Sequence, residues 1–215
     1  MIPFRTPGEI AAALPAVVTH LARRGLIAYP TETVYGLGSI TSAPAVERLA
    51  ALKGREPGKP FLVLVASRRM LAGVGLRLTD AAERFASAFW PGPLTLALPG
   101  GEGVLPDALR GPEGGIAVRW TSHAGAQQLI QTLGSPITST SANRPRQPAL
   151  LDPSAIVRGF AGAVSERTLI VLDAGPIAPS PPSTLVDCTG STPRLLREGA
   201  IAAGRLKAIV PALVT

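Results

Sequence analysis

The run Phe61-Leu-Val-Leu-Val65 constrains the fold of this chain more than any other segment. It has the length of a β-strand, and it lacks the alternation of apolar and polar residues found in a strand with one face in water. Such a run is typical of a strand that is covered on both faces. We therefore expect this segment to lie inside a sheet with helical cover.

Segments with helical periodicity alternate with short apolar runs along most of the chain. We predict helices over residues 9–24, with a break or restart at Pro15, and over 44–52, 80–89, 122–133 and 153–160. Strands are predicted at 26–29, 61–65, 94–98, 116–119, 137–143, 169–172, 184–187 and 194–196. The Gly/Pro-rich stretch 99–115 is expected to be an ordered excursion or a mobile lid. This order predicts one α/β domain over residues 1–215, built on a mixed β-sheet with helices.

The charge balance attracts polyanions without identifying one. The net charge is +7 and the sequence pI is about 10.7, which favours contact with RNA or with multiply charged nucleotides. Nearly all of the cations are arginine, and lysine occurs only at Lys53, Lys59 and Lys207. Because arginine-rich usage also reflects genome composition, direct RNA binding stays one possibility among several.

Cysteine and histidine usage gives no sign of a disulfide framework or a metal site. Cys188 is the only cysteine, which fits a reducing compartment, and His20 and His123 have no ligand-like spacing. The amino terminus lacks the continuous apolar region of a signal peptide, and no apolar run approaches about 18 residues. We therefore expect a cytoplasmic protein with no membrane contact.

Hydroxyls, amides and cations are concentrated in four segments where predicted strands end. These segments are Thr31–Thr33, Lys53–Lys59, Ser139–Asn143, and Ser183–Thr184 together with Arg197. The ends of strands in α/β folds converge on a crevice, so the four segments could form one site. Each segment taken alone is also compatible with ordinary turn chemistry.

Two interpretations stay open for Lys53, Arg55 and Lys59. Cations are favoured by the dipole at the end of a helix, and they can equally form a phosphate clamp, with arginine as a planar fork and lysine as a point charge. The chain has no G-x-x-x-x-G-K-S/T loop, and Gly36-Leu-Gly38 does not continue into a G-x-G-x-x-G fingerprint. A nucleotide would therefore have to bind by another design.

Two other groups could take part in chemistry. Ser139, Thr140 and Ser141 lie in no G-x-S-x-G elbow, so hydrogen-bonding hydroxyls are favoured over an attacking one. Glu32 could act as a base, and it could equally orient its neighbours.

Seven motifs follow one another between residues 29 and 199. They are Tyr29-Pro-Thr-Glu-Thr-Val-Tyr-Gly-Leu-Gly38, Leu52-Lys-Gly-Arg55, Phe89-Trp-Pro-Gly-Pro-Leu-Thr95, Ala117-Val-Arg119, Ser139-Thr-Ser-Ala-Asn143, Pro182-Ser-Thr-Leu-Val-Asp187 and Leu196-Arg-Glu-Gly199. In this order they resemble the motifs of YrdC/TsaC-type threonylcarbamoyl-AMP synthases. Several ordered motifs are far more specific than any one of them, and together they cover most of the chain.

The resemblance implies a YrdC-like (dsRBD-like) fold, with a twisted mixed sheet around a large basic cavity. It also implies a nucleotidyltransferase reaction in which L-threonine, bicarbonate and ATP give L-threonylcarbamoyladenylate and pyrophosphate. The product would supply the tRNA-modifying machinery that makes N6-threonylcarbamoyladenosine at position 37. Mg²⁺ is the expected companion of the ATP triphosphate.

The resemblance also assigns roles to residues. It implies that L-threonine contacts Thr31 and Ser183, with Ser139 nearby. Lys53 and Arg55 are the expected catalytic residues, and no residue is expected to bind a metal directly. The nucleotide and phosphate side would comprise Lys53, Arg55, Thr95, Ser141, Asn143 and Arg197, and Arg119 would support the cavity.

The chain departs from the family pattern in two places. The aliphatic run 61–65 stands where many members have a histidine, and Arg144-Pro-Arg146 follows Asn143 where Ser-Gly is common. Arg144 and Arg146 either contact phosphate or RNA, or lie in a solvated loop. The chain ends at residue 215, so the additional C-terminal domain of longer members is not expected.

Two other classes of function stay open. One is an RNA- or ribosome-associated binding protein of the same fold. Retention of Lys53, Arg55, Ser141 and Asn143 favours the enzyme over it, because RNA binding does not require an enclosed set of this kind. The other is a carbamoyl-transfer domain like those inside larger maturation proteins, and the lack of a zinc-finger or acylphosphatase-like segment argues against it.

Overall fold

The computed structural model describes residues 1–56 and 58–215, so position 57 of the predicted Lys53–Lys59 segment lies outside the described residues. The strands are β1 (Ile2–Pro3), β2 (Leu26–Tyr29), β3 (Gly36–Gly38), β4 (Leu62–Val65), β5 (Leu94–Leu98), β6 (Ile116–Trp120), β7 (Ile137–Ser141), β8 (Leu169–Asp173), β9 (Thr184–Asp187) and β10 (Arg194–Arg197). The α-helices are α1 (Pro7–Ala22), α2 (Ala43–Lys53), α3 (Arg68–Gly73), α4 (Asp80–Phe89), α5 (Ala124–Leu133), α6 (Pro153–Gly159), α7 (Ala161–Ser165) and α8 (Ala203–Ile209).

Within the described residues the strands form one ten-stranded sheet, in the order β1-β8-β2-β3-β7-β4-β6-β5-β9-β10. The pairs β1–β8, β8–β2, β4–β6 and β5–β9 are parallel. The pairs β2–β3, β3–β7, β7–β4, β6–β5 and β9–β10 are antiparallel. The predicted mixed α/β sheet is therefore confirmed.

Helices cover both faces of the sheet, as the run 61–65 predicts. Val63 and Val65 of β4 belong to the larger core cluster, whereas Leu64 belongs to a second cluster on the opposite face. This division follows from the alternating direction of side chains along a strand. The second cluster includes buried side chains of α1 and α5, and the larger cluster includes those of α2, α4, α6 and α8.

The predicted break at Pro15 is wrong, because α1 is continuous from Pro7 to Ala22. Thr6 begins the helix with a capping box, in which its side chain accepts from the Glu9 backbone N–H and the Glu9 carboxylate accepts from the Thr6 N–H. Leu14 and Val17 are buried on either side of the exposed Pro15. Burial of this stripe outweighs a proline penalty of about 3 kcal/mol.

The sequence-based prediction also missed several elements. β3 was predicted as a loop, yet it pairs with both β2 and β7 in the middle of the sheet. The edge strand β1 and the helices α3, α7 and α8 were not predicted, and α5 begins at Ala124 with His123 as its N-cap instead of Ser122. The strand predicted over 137–143 ends at Ser141.

The stretch 99–115 is held as an ordered excursion. The Arg110 guanidinium donates to the carbonyls of Gly100 and Gly114, each at 3.0 Å, and so ties the two ends of the stretch together. Within this stretch, a short 3-10 helix, Asp107–Leu109, directly precedes Arg110. In residues 1–56 and 58–215, none of the helices is long and apolar enough to cross a membrane.

Candidate functional site

The candidate site is a cavity on one face of the sheet. The leucines of β5 pack in the larger core cluster, whereas Thr95 and Ala97 of the same strand line the cavity. Strand β6 likewise presents Ala117 and Arg119 to the cavity. Successive side chains of a strand point to opposite faces. The small residues Thr95, Ala97 and Ala117 therefore lie on the cavity face, opposite the leucines of β5, and leave space there.

The cavity has a volume of about 720 Å³, within the usual range for small-molecule sites. Among its described lining residues are four cations, Arg55, Lys59, Arg119 and Arg197, and no Asp or Glu. The fold therefore brings a basic, hydroxyl-rich surface together from segments far apart in sequence. Eight of the ten predicted site residues line it: Thr31, Arg55, Thr95, Arg119, Ser139, Ser141, Ser183 and Arg197.

The loop after β2 is stabilised by the hydroxyl of Thr31. Thr31 Oγ1 accepts from the backbone N–H groups of Thr33 and Val34, each at 3.2 Å, and donates to the Val34 carbonyl at 2.7 Å. The hydroxyl proton is thus used within the loop. Beyond the loop, β3 passes so close to β7 that a Cβ on Gly36 would lie 3.1 Å from Ser139 Oγ, which explains the glycine.

Arg119 is buried at one end of the cavity beside this loop. Its Nη1 donates to Thr33 Oγ1 at 3.1 Å, and its Nη2 lies 3.6 Å from Glu32 Oε2. The Thr121 hydroxyl donates to the same Glu32 oxygen. Within the described residues, Arg119 Nε and Glu32 Oε1 are buried without a hydrogen-bond partner.

Ser183 joins two strands at the same end of the cavity. Its hydroxyl lies 2.8 Å from Thr95 Oγ1, and its carbonyl accepts from Arg197 Nη2 at 2.8 Å and from Nε at 3.3 Å. Burial, followed by the nearby charge of Arg119, lowers the pKa of Arg197 below its ordinary value. The two arginines are therefore close enough to repel each other, and an anion between them would relieve that repulsion.

Arg55 and Lys59 form a second cationic end. Arg55 donates through Nε to the Lys59 carbonyl at 2.6 Å, through Nη1 to Thr140 Oγ1 at 3.2 Å, and through Nη2 to the Pro60 carbonyl. Its guanidinium also lies over the Phe61 ring, 4.4 Å from the centroid. Three of its five N–H hydrogens are used in this way, which leaves two for an anion in the cavity.

Lys53 lies behind the cavity lining, together with Asn143. The Lys53 Nζ donates to the carbonyls of Ser141 and Asn143, each at 2.7 Å, and to Asn143 Oδ1. Burial, followed by the charge of Arg55, lowers its pKa to about 8. The Lys53 ammonium fixes the backbone that carries Ser141. Lys53 itself is not one of the described residues that line the cavity.

Sequence reasoning missed several lining residues. Ser180 was not singled out, although its hydroxyl donates to the Thr33 carbonyl at 2.7 Å. Thr33 was named only as the end of a polar segment, and its contact with Arg119 was not predicted. Lys59 was considered as part of a helix end or of a phosphate clamp, but it was not among the predicted site residues. Leu196 lines the cavity because a β-bulge between Leu195 and Arg197 changes the side-chain direction, and such a bulge leaves no clear sequence signal.

The two arginines that depart from the family pattern have structural contacts. Arg144 donates to the carbonyl of Leu52 at 2.9 Å, near the end of α2, and stacks 4.7 Å from the Phe160 ring centroid. Arg146 is exposed and lies 3.5 Å from Glu56. Arg144 therefore ties the loop after β7 to two helices, whereas Arg146 belongs to a solvated loop.

A second groove, of about 740 Å³, lies between α1 and β8. Its floor is mostly apolar, and the predicted site residues do not line it in the described part of the chain. The described residues also contain no group of three or more His, Cys, Asp or Glu that could hold a metal ion. The basic cavity is therefore the candidate site.

The fold and the cavity together define an α/β protein with a basic, hydroxyl-rich cavity, and comparisons with known proteins specify its family. The Sua5/YciO/YrdC family model, described as telomere recombination, matches residues 19–199. A Mycobacterium leprae protein, provisionally named a threonylcarbamoyl-AMP synthase, is 35% identical over 205 residues, which cover 95% of this chain and 90% of that protein.

Solved structures agree with this match. The structure of Pyrococcus abyssi Sua5 complexed with L-threonine superposes with a TM-score of 0.87 and 31% identity, covering 99% of this chain and 61% of that one. Escherichia coli YciO superposes with a TM-score of 0.78 and 26% identity, covering 94% of this chain and 95% of that one. This chain thus spans less than two thirds of the P. abyssi protein. The chain belongs to the Sua5/YciO/YrdC family.

Proposed function

We propose that this chain catalyses the formation of L-threonylcarbamoyladenylate from L-threonine, bicarbonate and ATP, with release of pyrophosphate. The observation that carries the proposal is the charge distribution of the cavity: its described lining holds four cations and no carboxylate, and the cations fall into two groups, Arg119 with Arg197 and Arg55 with Lys59. The reaction requires a site for an amino-acid carboxylate and a separate site for phosphates. A relative named threonylcarbamoyl-AMP synthase, from P. abyssi, is 34% identical over 86% of this chain and supports the same assignment.

The Arg119–Arg197 end suits the amino acid. The guanidinium groups of the buried Arg119 and the more exposed Arg197 can together hold a carboxylate by charge-assisted hydrogen bonds. Ser183 adds a hydroxyl that already contacts Thr95, and Thr31 shapes the adjacent loop through its own hydrogen bonds. We therefore place Arg197 on the amino-acid side, whereas the sequence placed it with the nucleotide.

The Arg55–Lys59 end suits the nucleotide phosphates. Arg55 is fixed on one side by carbonyls and by the Phe61 ring, which leaves its free N–H groups pre-oriented toward the cavity. Ser141 lies on the lining nearby, held by Lys53 from behind. Lys53 and Asn143 would then position this wall, while Arg55 contacts the charge that develops on the phosphates.

The proposed reaction requires that the substrates be oriented and that the charge developing on them be neutralised. The threonine amine must meet bicarbonate to form a carbamate, and a carbamate oxygen must then attack the α-phosphorus as pyrophosphate leaves. Fixed donors at both ends of one cavity hold these groups in line and stabilise the transferred charge. None of these steps needs a protein nucleophile, which agrees with Ser139 serving as a hydrogen-bonding group.

Magnesium would enter with ATP. Mg²⁺ in nucleotide sites is commonly bound by substrate phosphates, water and one or two carboxylates. The described lining of the cavity contains no carboxylate, and the described residues hold no group of three or more His, Cys, Asp or Glu that could bind a metal ion. The ion therefore belongs to the substrate in this proposal, and no step assigned to the protein depends on it.

The product would pass to the machinery that makes N6-threonylcarbamoyladenosine in tRNA, and the enzyme would act in the cytoplasm. Direct RNA contact is a separate possibility that the charge surplus keeps open. It would appear as an affinity that falls steeply with salt. An RNA affinity of this kind without turnover would support the binding-protein alternative.

The test is to incubate the purified protein with ATP, Mg²⁺, bicarbonate and L-threonine and to follow pyrophosphate release. We expect release that requires both threonine and bicarbonate. Arg55→Ala should lower turnover by at least about a hundredfold, the scale of losing one transition-state donor, while the protein stays folded. Arg205→Ala is the matched control, because Arg205 is exposed and packs over Phe89. Release that is independent of threonine would refute the proposal.

A further inference from the structure

Glu32 has no part in the reaction as proposed, yet its surroundings indicate one. Thr31 and Thr33 line the cavity on either side of it, whereas Glu32 is not among the described lining residues. Its carboxylate extends to the end of β6, where Oε2 receives the Thr121 hydroxyl and lies 3.6 Å from Arg119 Nη2. The Glu32 and Arg119 side chains are only 18% and 5% exposed.

The Arg119 guanidinium is held by two neighbouring residues of the loop after β2, Glu32 and Thr33. Thr33 Oγ1 accepts from Nη1 at 3.1 Å, and the Glu32 carboxylate attracts Nη2. The Glu32–Arg119 distance is longer than a hydrogen bond. Their attraction is therefore mainly electrostatic, and burial strengthens it because the local dielectric constant is low. The charge of Glu32, more than its shape, fixes the guanidinium.

The position of Glu32 argues against a role as general base. A base must reach the proton that it removes, directly or through one water. Glu32 Oε2 already faces Thr121 and Arg119, Oε1 is buried, and the described cavity lining does not include the carboxylate. The neighbouring His123 caps α5 through Nδ1, and burial lowers its pKa below the ordinary value, so a charged imidazole does not compete for Glu32 near pH 7.

We propose that Glu32 is a positioning residue, whose carboxylate holds the Arg119 guanidinium in the cavity so that it can receive the carboxylate of the amino-acid substrate. The identity of that substrate rests on the proposed function. The coupling between Glu32 and Arg119 rests on geometry alone. The two parts can therefore fail separately.

The kinetic test is Glu32→Gln, which keeps the side-chain shape and the acceptor for Thr121 but removes the charge. We expect the KM for L-threonine to rise about tenfold, equivalent to about 1.4 kcal/mol. The kcat and the KM for ATP should change by less than about twofold, because an interaction made equally in ground and transition states affects KM alone. Glu83→Gln, which removes an exposed ion pair with Arg68, should leave all three values unchanged.

A second measurement does not depend on turnover. The ¹⁵N heteronuclear NOE of the Arg119 Nε–Hε group should indicate an ordered side chain in the wild type and a mobile one in Glu32→Gln, while the Arg197 signal stays unchanged. If Glu32→Gln does not fold, Thr121→Val removes the hydroxyl that donates to Glu32 and that also accepts from the His123 backbone N–H at 3.2 Å. It should give the same changes, with a smaller KM increase of about threefold.

The outcomes separate the two proposals. An unchanged Arg119 signal with an unchanged threonine KM overturns the positioning role, and so does a loss of kcat at constant KM, which would identify a base. If the wild type shows no threonine-dependent turnover, the proposed function fails. The NOE comparison then still decides whether Glu32 holds Arg119.

Discussion

Replacing Lys53 with methionine tests whether the ammonium behind the cavity supports the site. Methionine keeps an unbranched stem of similar length and removes the charge and its donors. In the wild type the Nζ donates to the carbonyls of Ser141 and Asn143, each at 2.7 Å, and to Asn143 Oδ1. The substitution therefore leaves three oxygens without their donor on the segment that follows β7.

The expected loss of stability follows from two opposing terms. Hydrogen bonds to a charged group contribute about 1.5–3 kcal/mol each, so three of them contribute about 5–9 kcal/mol. Burial of the charged ammonium opposes this contribution. It lowers the pKa of Lys53 from 10.5 to about 8, which corresponds to a cost of about 3 kcal/mol. The net loss is about 2–6 kcal/mol. For a chain of this size it lowers Tm by at least about 4 °C.

Thermal unfolding followed by circular dichroism measures this loss, with pyrophosphate release measured on the same samples at 25 °C. Lys207→Met is the matched control, since Lys207 is exposed and its ammonium donates to the hydroxyl of Thr215 near the end of the chain. We expect the control to melt like the wild type and Lys53→Met to lose both stability and turnover. An unchanged Tm in Lys53→Met would refute the reasoning, because the three contacts would then contribute nothing.

Three further predictions concern pH, packing and capping. Because the pKa of Lys53 is about 8, turnover should fall as the pH rises through 8, and this fall should be absent in Lys53→Arg. Between pH 8 and 10.5 the unfolded chain holds this proton and the folded chain has lost it, so urea denaturation should show this group adding stability with rising pH. Gly38→Ala should cost at least about 2 kcal/mol by urea denaturation, because a Cβ there would lie 2.4 Å from the Thr138 carbonyl oxygen. Thr6→Ala should cost about 1 kcal/mol by the same assay, whereas Ser42→Ala should be neutral, because the Ser42 side chain makes no cap hydrogen bond.

The sequence predicted those parts of the fold in which side-chain pattern and local chemistry agree. The apolar runs that form β2, β5 and β9 were predicted with the bounds that the structure shows. β3 could not be predicted in this way, because Gly36 and Gly38 have low strand propensity. Their reason for being glycine is the close approach of Tyr29 and β7, a tertiary contact that no local pattern reveals.

The sequence predicted which residues belong to the candidate site, but it did not predict which of them lie together within it. The sequence indicated that Arg197 and Ser183 belong to the site, and it assigned them to different substrates, although the Ser183 carbonyl accepts from the Arg197 guanidinium at 2.8 Å. Lys53 was expected to face phosphate, yet its ammonium is used by backbone carbonyls. Both differences arise because the direction of a long cationic side chain is set by acceptors that lie distant in sequence.

The distribution of charge says more about the site of anion binding than the net charge does. A surplus of +7 alone fits RNA, nucleotides or no partner at all. Four cations in the cavity lining without a described carboxylate form a local field that concentrates anions there. Two acids outside the lining contact those cations: Glu32 lies beside the buried Arg119, and Glu56 forms an exposed ion pair with Lys59. Because Glu32 lies outside the lining, it can fix the direction of the Arg119 guanidinium without competing with a substrate for space in the cavity.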